Sequence, residues 1–287
     1  MSYTIPTNIE NRPITVLGAG TLGRRIALTY ATRGGTVRLY DVAESPLRDA
    51  KEFIGEQLPA LLRTRPGSSA AQVEYTTDLA SAVKNAWYII ESVPEIPALK
   101  IDVLGQIDEL AETDAIIGTN SSSYESSELI AKVTHPERVL NTHYGQPPEA
   151  PQLELMTDGH TDERIFDLLK QELVKYGFVV AAARKESVGF IVNRVWAAVK
   201  RESLAVIAEG VTTPQEFDQL WVAADFGKIG VFRLIDRVGL DVALDIENNY
   251  LKKFPYLPTK SRDLLKSYVK QGKLGVKSGA GFYNDYK

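Results

Sequence analysis

The chain has 287 residues, 44% of them apolar and 24% charged, and contains no cysteine. A formal net charge of -4 leaves no basic footprint for nucleic acid or an anionic membrane surface. The missing thiols exclude disulfides, thiolate catalysis and a cysteine-held zinc or iron–sulfur centre, and no metal site is expected. A single hydrophobic core rarely organises so long a chain, so two domains are expected. No apolar run approaches the roughly 20 residues that span a bilayer. The opening MSYTIPTNIENRP shows neither an apolar signal core nor an Arg-rich transit pattern, which predicts a cytoplasmic protein without a membrane partner.

Short β-branched runs then alternate with helical patterns. ITVL (14–17), TVRLY (36–40), WYIIESV (87–93), AIIGTN (115–120), VLNTH (139–143) and FVVAA (178–182) read as strands. The apolar run after Pro151 reads as a further strand. Leu99, Val103, Leu104, Ile107 and Leu110 mark one intervening amphipathic helix. Strands apolar on both faces and separated by helices predict a parallel sheet covered on both sides. RTRPGSS (63–69) is the most loop-like insertion, and the serines of NSSSYESS suit caps for a helix beginning near Ser126.

Beyond about Lys185 the strand pattern stops. Gly189 to Gly210 reads as one long helix, and TPQE (213–216) starts another, with Thr213 as N-cap, Pro214 at the first helical position and Glu216 closing a capping box. A helix follows RVGLD (237–241), and one more precedes GKLGVKSGAGFY (272–283). The expectation is an α/β domain over 1–186 and an all-helical domain over 187–287.

ITVLGAGTLGRRIA places Gly18, Gly20 and Gly23 directly after a strand and into a helix, with Thr21 and Leu22 between the last two. This is the G-x-G-x-x-G pattern of a Rossmann-type dinucleotide site in the context it requires. The helix start offers unpaired N–H groups to a diphosphate. Asp41 ends the second strand, 18 residues after Gly23, where a carboxylate can hold the adenosine ribose. Val42 and Ala43 bring no cation for a 2′-phosphate, which favours NAD over NADP. A Gly-rich turn with Asp41 as a strand-end cap is the bland alternative.

Later motifs bear on the substrate. GAGTLGRRIA, LYD, ESVPEIPALK (91–100), TNSSS (119–123), the His143 segment, GFIVNRVW (189–196), VGLD (238–241) and LGVKSGAGFY (274–283) occur in one order along the chain. Together they resemble the NAD-dependent L-3-hydroxyacyl-CoA dehydrogenase superfamily, which includes the lambda-crystallin/L-gulonate and carnitine dehydrogenases. The resemblance implies that His143 is the general base and Glu154 the carboxylate that orients it. Ser122 and Asn193 match residues holding the substrate oxygen, and Glu95, Lys100 and Lys277 match residues near the cofactor. Imidazole suits such a proton shuttle, because its ordinary pKa lies near neutrality. His135 and His160 read as loop histidines. Lys100 fits a helix-face pair with Glu95 or Asp108 as well as a cofactor contact, Asn193 fits a core amide, and Trp196 fits packing.

The segment departs from the family at defined places. His143-Tyr144-Gly145-Gln146-Pro147 stands where hydroxyacyl-CoA enzymes read H-F-F-N-P, so Gln146 replaces the asparagine near nicotinamide and substrate. The interval from His143 to Glu154 is one residue shorter than usual, with Glu149 as the alternative carboxylate. The usual CoA-binding serine and lysine fall near Gln57 and Thr64, while Arg63 and Arg65 could offer cations to a phosphate or carboxylate. Val231 replaces a family proline. The expected function is NAD-dependent interconversion of an L-3-hydroxyacyl-CoA, or a similar 3-hydroxy substrate, and its 3-keto compound. The same chemistry on a small free hydroxy acid and a non-catalytic NAD-binding role are the alternatives. The apolar helix after Gly189 and the resemblance together imply a homodimer.

Overall fold

In the computed structural model, which describes residues 3–286, the first β-branched run becomes β1 (Ile14–Leu17), buried along its whole length. It leads to α1 (Thr21–Tyr30), β2 (Thr36–Tyr40), α2 (Glu44–Thr64), β3 (Gln72–Thr76), α3 (Leu79–Val83) and β4 (Tyr88–Glu91). Then come α4 (Pro97–Leu110), β5 (Ile116–Thr119), β6 (Val139–Tyr144), β7 (Gln152–Met156), α5 (Glu163–Leu173) and β8 (Val179–Ala183). The eight strands form one sheet in the order β3-β2-β1-β4-β5-β6-β7-β8. β1 to β6 run parallel, β7 is antiparallel to β6, and β8 is parallel to β7.

Side chains alternate across a strand, so each central strand feeds two cores. Val16, Ile90 and Ile116 enter one apolar layer with Ile26 and Leu39. Leu17, Ile89 and Ile117 enter the other with Leu104 and Ile107. β1, β4 and β5 are buried at every residue, which is why their sequences carry no polar alternation. Arg138 lies fully inside this unit with its guanidinium on Asp108 at 2.8 Å. Asp108 is therefore not the partner of Lys100.

Three expectations change. β3 pairs with β2 at the edge of the sheet; its residues are half-buried or exposed, so no apolar run announces it. The helix expected from Gly189 begins only at Val192, because Gly189 (φ 76°) and Phe190 (φ 56°) take left-handed backbone. At Ser126 there is a three-residue 3-10 turn, Ser126–Glu128, without a side-chain cap.

The chain divides into two compact units, the second starting at Val192. This second unit contains α6 (Val192–Ala208), α7 (Pro214–Ala223), α8 (Val231–Val238), α9 (Leu240–Lys253) and α10 (Lys260–Lys270). Leu204, Phe232, Ile235, Leu240, Leu265 and Phe282 form its core, with Trp196 packed partly against it. The capping box at Thr213 and Glu216 is formed with Pro214 at the helix start. Asp218 accepts the Phe232 and Arg233 N–H groups and so caps α8, while Val231 begins that helix fully buried. Asp236 accepts the Phe282 and Tyr283 N–H groups and the Tyr286 hydroxyl, tying the C-terminal segment to α8. Burial raises the Asp236 pKa, and those hydrogen bonds oppose the shift. No helix among the described residues is long and apolar enough to cross a membrane.

Candidate functional site

The strand order reverses between β1 and β4, and ligands of open α/β sheets bind at the carboxyl ends of strands at such a switch. Gly18 sits there with φ 103°, and a Cβ on it would lie 2.5 Å from the Ser92 carbonyl oxygen. A Cβ on Gly23 would lie 1.8 Å from the Gly18 carbonyl oxygen, so the turn and α1 meet without room for a side chain. Gly20 is different. It is exposed, and nothing lies within 4 Å of where its Cβ would be, leaving open space against the backbone. No side chain caps the N-terminus of α1, so its first N–H groups remain available to an anion. Asp41 crosses this loop: its Oδ2 accepts the Ala19 N–H at 2.9 Å and its Oδ1 the Ala43 N–H at 3.2 Å. Two carboxylate oxygens keep further acceptor capacity for ribose hydroxyls. An open cradle, a free helix start and an oriented carboxylate fit a dinucleotide.

The neighbouring strand ends are held by buried charge. Glu91, at the end of β4, has no exposure; its Oε1 accepts Lys100 Nζ and the Val93 N–H, both at 2.8 Å. Its Oε2 accepts the Thr119 hydroxyl at 2.6 Å. Lys100, 1% exposed, also lies 3.3 Å from Glu95. Glu95 Oε1 in turn accepts the Ser121 hydroxyl and the Ser122 and Ser123 N–H groups at 2.7–3.0 Å. Glu95 and Lys100 thus brace the loop that presents Ser122, which is exposed. The Ser122 hydroxyl has no partner among the described residues. Lys277, in the second unit, is paired with Asp241 at 2.5 Å. Asn193 is the second residue of α6 in that unit.

Two strands on, His143 is the penultimate residue of β6. The antiparallel register sets His143 directly opposite Glu154 on β7, so both side chains leave the same face. His143 Nδ1 lies 3.6 Å from Glu154 Oε1, an ion-pair distance rather than a hydrogen bond. Nδ1 is sheltered and has no hydrogen-bond partner among the described residues. Glu154 is 3% exposed, and its Oε2 accepts the Ile191 N–H at 2.7 Å. Phe190 stacks on the imidazole, with ring centroids 4.6 Å apart and planes 14° from parallel. The alternative carboxylate, Glu149, pairs with Arg25 at 2.6 Å instead. Gln146 is exposed in the loop between β6 and β7, beside the cis bond Pro147-Pro148. His135 and His160 are loop residues, the first 3.4 Å from Glu137.

Sequence reasoning missed Phe190 and the Ile191 amide, which touch both halves of this pair. It also missed Glu91, read only as a strand residue. A carboxylate closing an apolar strand nine residues before a lysine was the available signal.

Residues 13–186 match the family model for the 3-hydroxyacyl-CoA dehydrogenase NAD binding domain, and residues 189–285 match that for the C-terminal domain. A 5-formyl-3-hydroxy-2-methylpyridine 4-carboxylate 5-dehydrogenase of Mesorhizobium japonicum is 29% identical over 95% of this chain and 90% of its own length. A 3-hydroxybutyryl-CoA dehydrogenase of Clostridioides difficile is also 29% identical, over 94% of this chain and 98% of its own. The crystal structure of an (S)-3-hydroxybutyryl-CoA dehydrogenase from Ralstonia eutropha superposes with a TM-score of 0.86 at 26% identity, covering 96% of this chain and 99% of that one. With both domains matched in order over nearly the whole length, the chain belongs to the 3-hydroxyacyl-CoA dehydrogenase family of NAD-dependent oxidoreductases that act on a CH–OH group.

Proposed function

We propose that this protein reversibly oxidises the hydroxyl of an L-3-hydroxyacyl-CoA, or a similar 3-hydroxy substrate, to the ketone, with His143 as general base. The observation that carries this reading is the cross-strand pair of His143 and Glu154 near the carboxyl ends of the parallel strands, the end of the sheet that also holds the glycine loop. Nε2 takes the hydroxyl proton as the carbon is oxidised, and Glu154 stabilises the imidazolium from the Nδ1 side. The family resemblance assigns Ser122 and Asn193 to the substrate oxygen, and Gln146, exposed in the loop after β6, to the substrate. Bound NAD supplies the hydride acceptor. Gly18, Gly20, Thr21, Leu22 and Gly23 cradle its diphosphate, and Asp41 holds the ribose. Glu95 and Lys100 serve indirectly, by bracing the Ser122 loop. Asp41→Ala is expected to weaken NAD binding roughly 10- to 100-fold, the loss of one or two charge-assisted hydrogen bonds. Titration of intrinsic fluorescence with NAD measures it, and an unchanged Kd removes the ribose assignment.

A second reading keeps the chemistry but exchanges the thioester for a small free acid. Arg65, one candidate cation for a CoA phosphate, already donates one of its N–H groups to the Tyr176 carbonyl at 2.6 Å, which supports this reading. The relative named for a pyridine carboxylate points the same way. NAD reduction with 3-hydroxybutyryl-CoA, free 3-hydroxybutyrate, carnitine and L-gulonate in parallel separates the two. Turnover of only the thioester establishes the first reading; turnover of only a free acid replaces it with the second.

A cytoplasmic homodimer completes the proposal. Val211, Leu220, Phe226 and Tyr256 of the second unit are each at least 70% exposed, an apolar display suited to a second copy. Sedimentation velocity is expected to give twice the mass of the 31.7 kDa chain. A monomer at micromolar concentration would contradict it.

A further inference from the structure

The 3.6 Å gap to Glu154 leaves His143 Nδ1 without a hydrogen bond among the described residues to fix the imidazole plane. A histidine ring turns readily about its second torsion, which is broad and roughly two-fold. A base that must present Nε2 to a substrate hydroxyl needs some other restraint on that rotation.

The segment from Ser187 to Ile191 provides one. Phe190 N–H donates to the Ser187 carbonyl at 2.9 Å, and the Ser187 hydroxyl donates to the Phe190 carbonyl at 3.0 Å, closing a tight turn. Within it Phe190 adopts φ 56°, a left-handed conformation that a bulky side chain normally avoids. Such strain persists only where the surroundings over-determine it, and it gathers at functional positions. The turn seats the Phe190 ring, 3% exposed, beside Met156 and Ala183 and flat against His143. The next residue sends its N–H to Glu154. Two consecutive residues thus hold the two partners, one by its ring and one by its amide.

We propose that Phe190 is a positioning residue for the proton transfer: its ring fixes the imidazole plane so that Nδ1 faces Glu154 and Nε2 faces the substrate hydroxyl. The proposal rests on the reading of His143 as the base. Phe190 touches neither substrate nor cofactor in this role, so its removal acts on the rate and spares binding.

The test compares Phe190→Leu, Phe190→Met and Phe190→Tyr with His143→Ala in the full chain, using the substrate the parallel assay identifies and counting competent sites by NAD titration. Leu and Met keep the apolar filling and remove the flat ring; Tyr restores it. For the Leu and Met variants, kcat per competent site is expected to fall about 10- to 100-fold, the usual cost of a slightly misplaced group. KM for NAD and for substrate stays within about three-fold, the solvent deuterium isotope effect on kcat increases, and Tyr recovers most of the loss. A purely structural role would lower the number of NAD-competent sites without changing kcat per site, and would overturn the proposal. So would a Tyr variant as slow as Leu. If Leu fails to fold, Met and Tyr decide between these outcomes. If His143→Ala itself turns over normally, the base assignment falls; if it is inactive while Leu and Met are unimpaired, only the positioning role falls.

Discussion

His143→Ala is expected to reduce turnover by about 10²- to 10⁴-fold, the range that a positioned general base contributes. NAD affinity is expected to persist, because the glycine loop and Asp41 lie at the ends of β1 and β2, whereas His143 lies near the end of β6. NADH absorbance measures the first quantity, and fluorescence titration with NAD the second. Glu154→Gln is the companion variant: it keeps the shape and the Ile191 contact but removes the charge that stabilises the imidazolium. Its rate loss is expected to fall short of that of His143→Ala. Normal turnover in the alanine variant would remove the proposed base, and lost NAD binding would point to collapse of the strand ends instead.

Glu91→Ala is expected to cost about 3–5 kcal/mol of stability, because it leaves the Lys100 ammonium buried without its main counter-ion. Lys100 is 1% exposed and Glu91 not at all, so neither can turn to water in place. The same change also deprives the Val93 N–H and the Thr119 hydroxyl of their acceptor. For a unit of this size the loss corresponds to a fall in Tm of roughly 10 °C. Calorimetry checks it, and a fall of only about 2 °C would mean that the pair carries little. A double variant, Glu91→Leu with Lys100→Met, removes both charges and is expected to recover much of the loss, since a buried ion pair is often no better than well-packed apolar groups. NAD binding should follow stability here, because Ser92, next to Glu91, walls the Gly18 turn.

The nucleotide half was legible because its signals are local. A glycine spacing between a strand and a helix names a turn, and β-branched runs name buried strands. β3 escaped because an edge strand with half-exposed residues has no apolar run to read. Phe190 was unreadable for a deeper reason: aromatic side chains disfavour left-handed backbone, so local preference argued for continuing the helix back through it. Which of Glu149 and Glu154 faces His143 depends on strand register, and a loop interrupted by two prolines carries no register information. The ladder supplied what counting along the chain could not. Lys100 does pair with Glu95, which proximity along the chain made visible, whereas its closer partner, Glu91 at the end of β4, meets it only through the fold.

The pairing of β6 with β7 has one further consequence. His143 faces Glu154 through the ladder, with Tyr144 opposite Leu153 and Thr142 opposite Leu155 on either side, so apolar burial holds the alignment together with the loop. A one-residue slip would turn Glu154 to the other face and send Leu153 and Leu155 out of the core, so the apolar pattern itself guards the register. The loop over residues 146–150 is also tied down in its own right, the Arg25 guanidinium donating to the Pro147 carbonyl and pairing with Glu149. Gln146, exposed between these anchors, is thus the position of the tip that can be exchanged without touching either the ladder or the Arg25 tie.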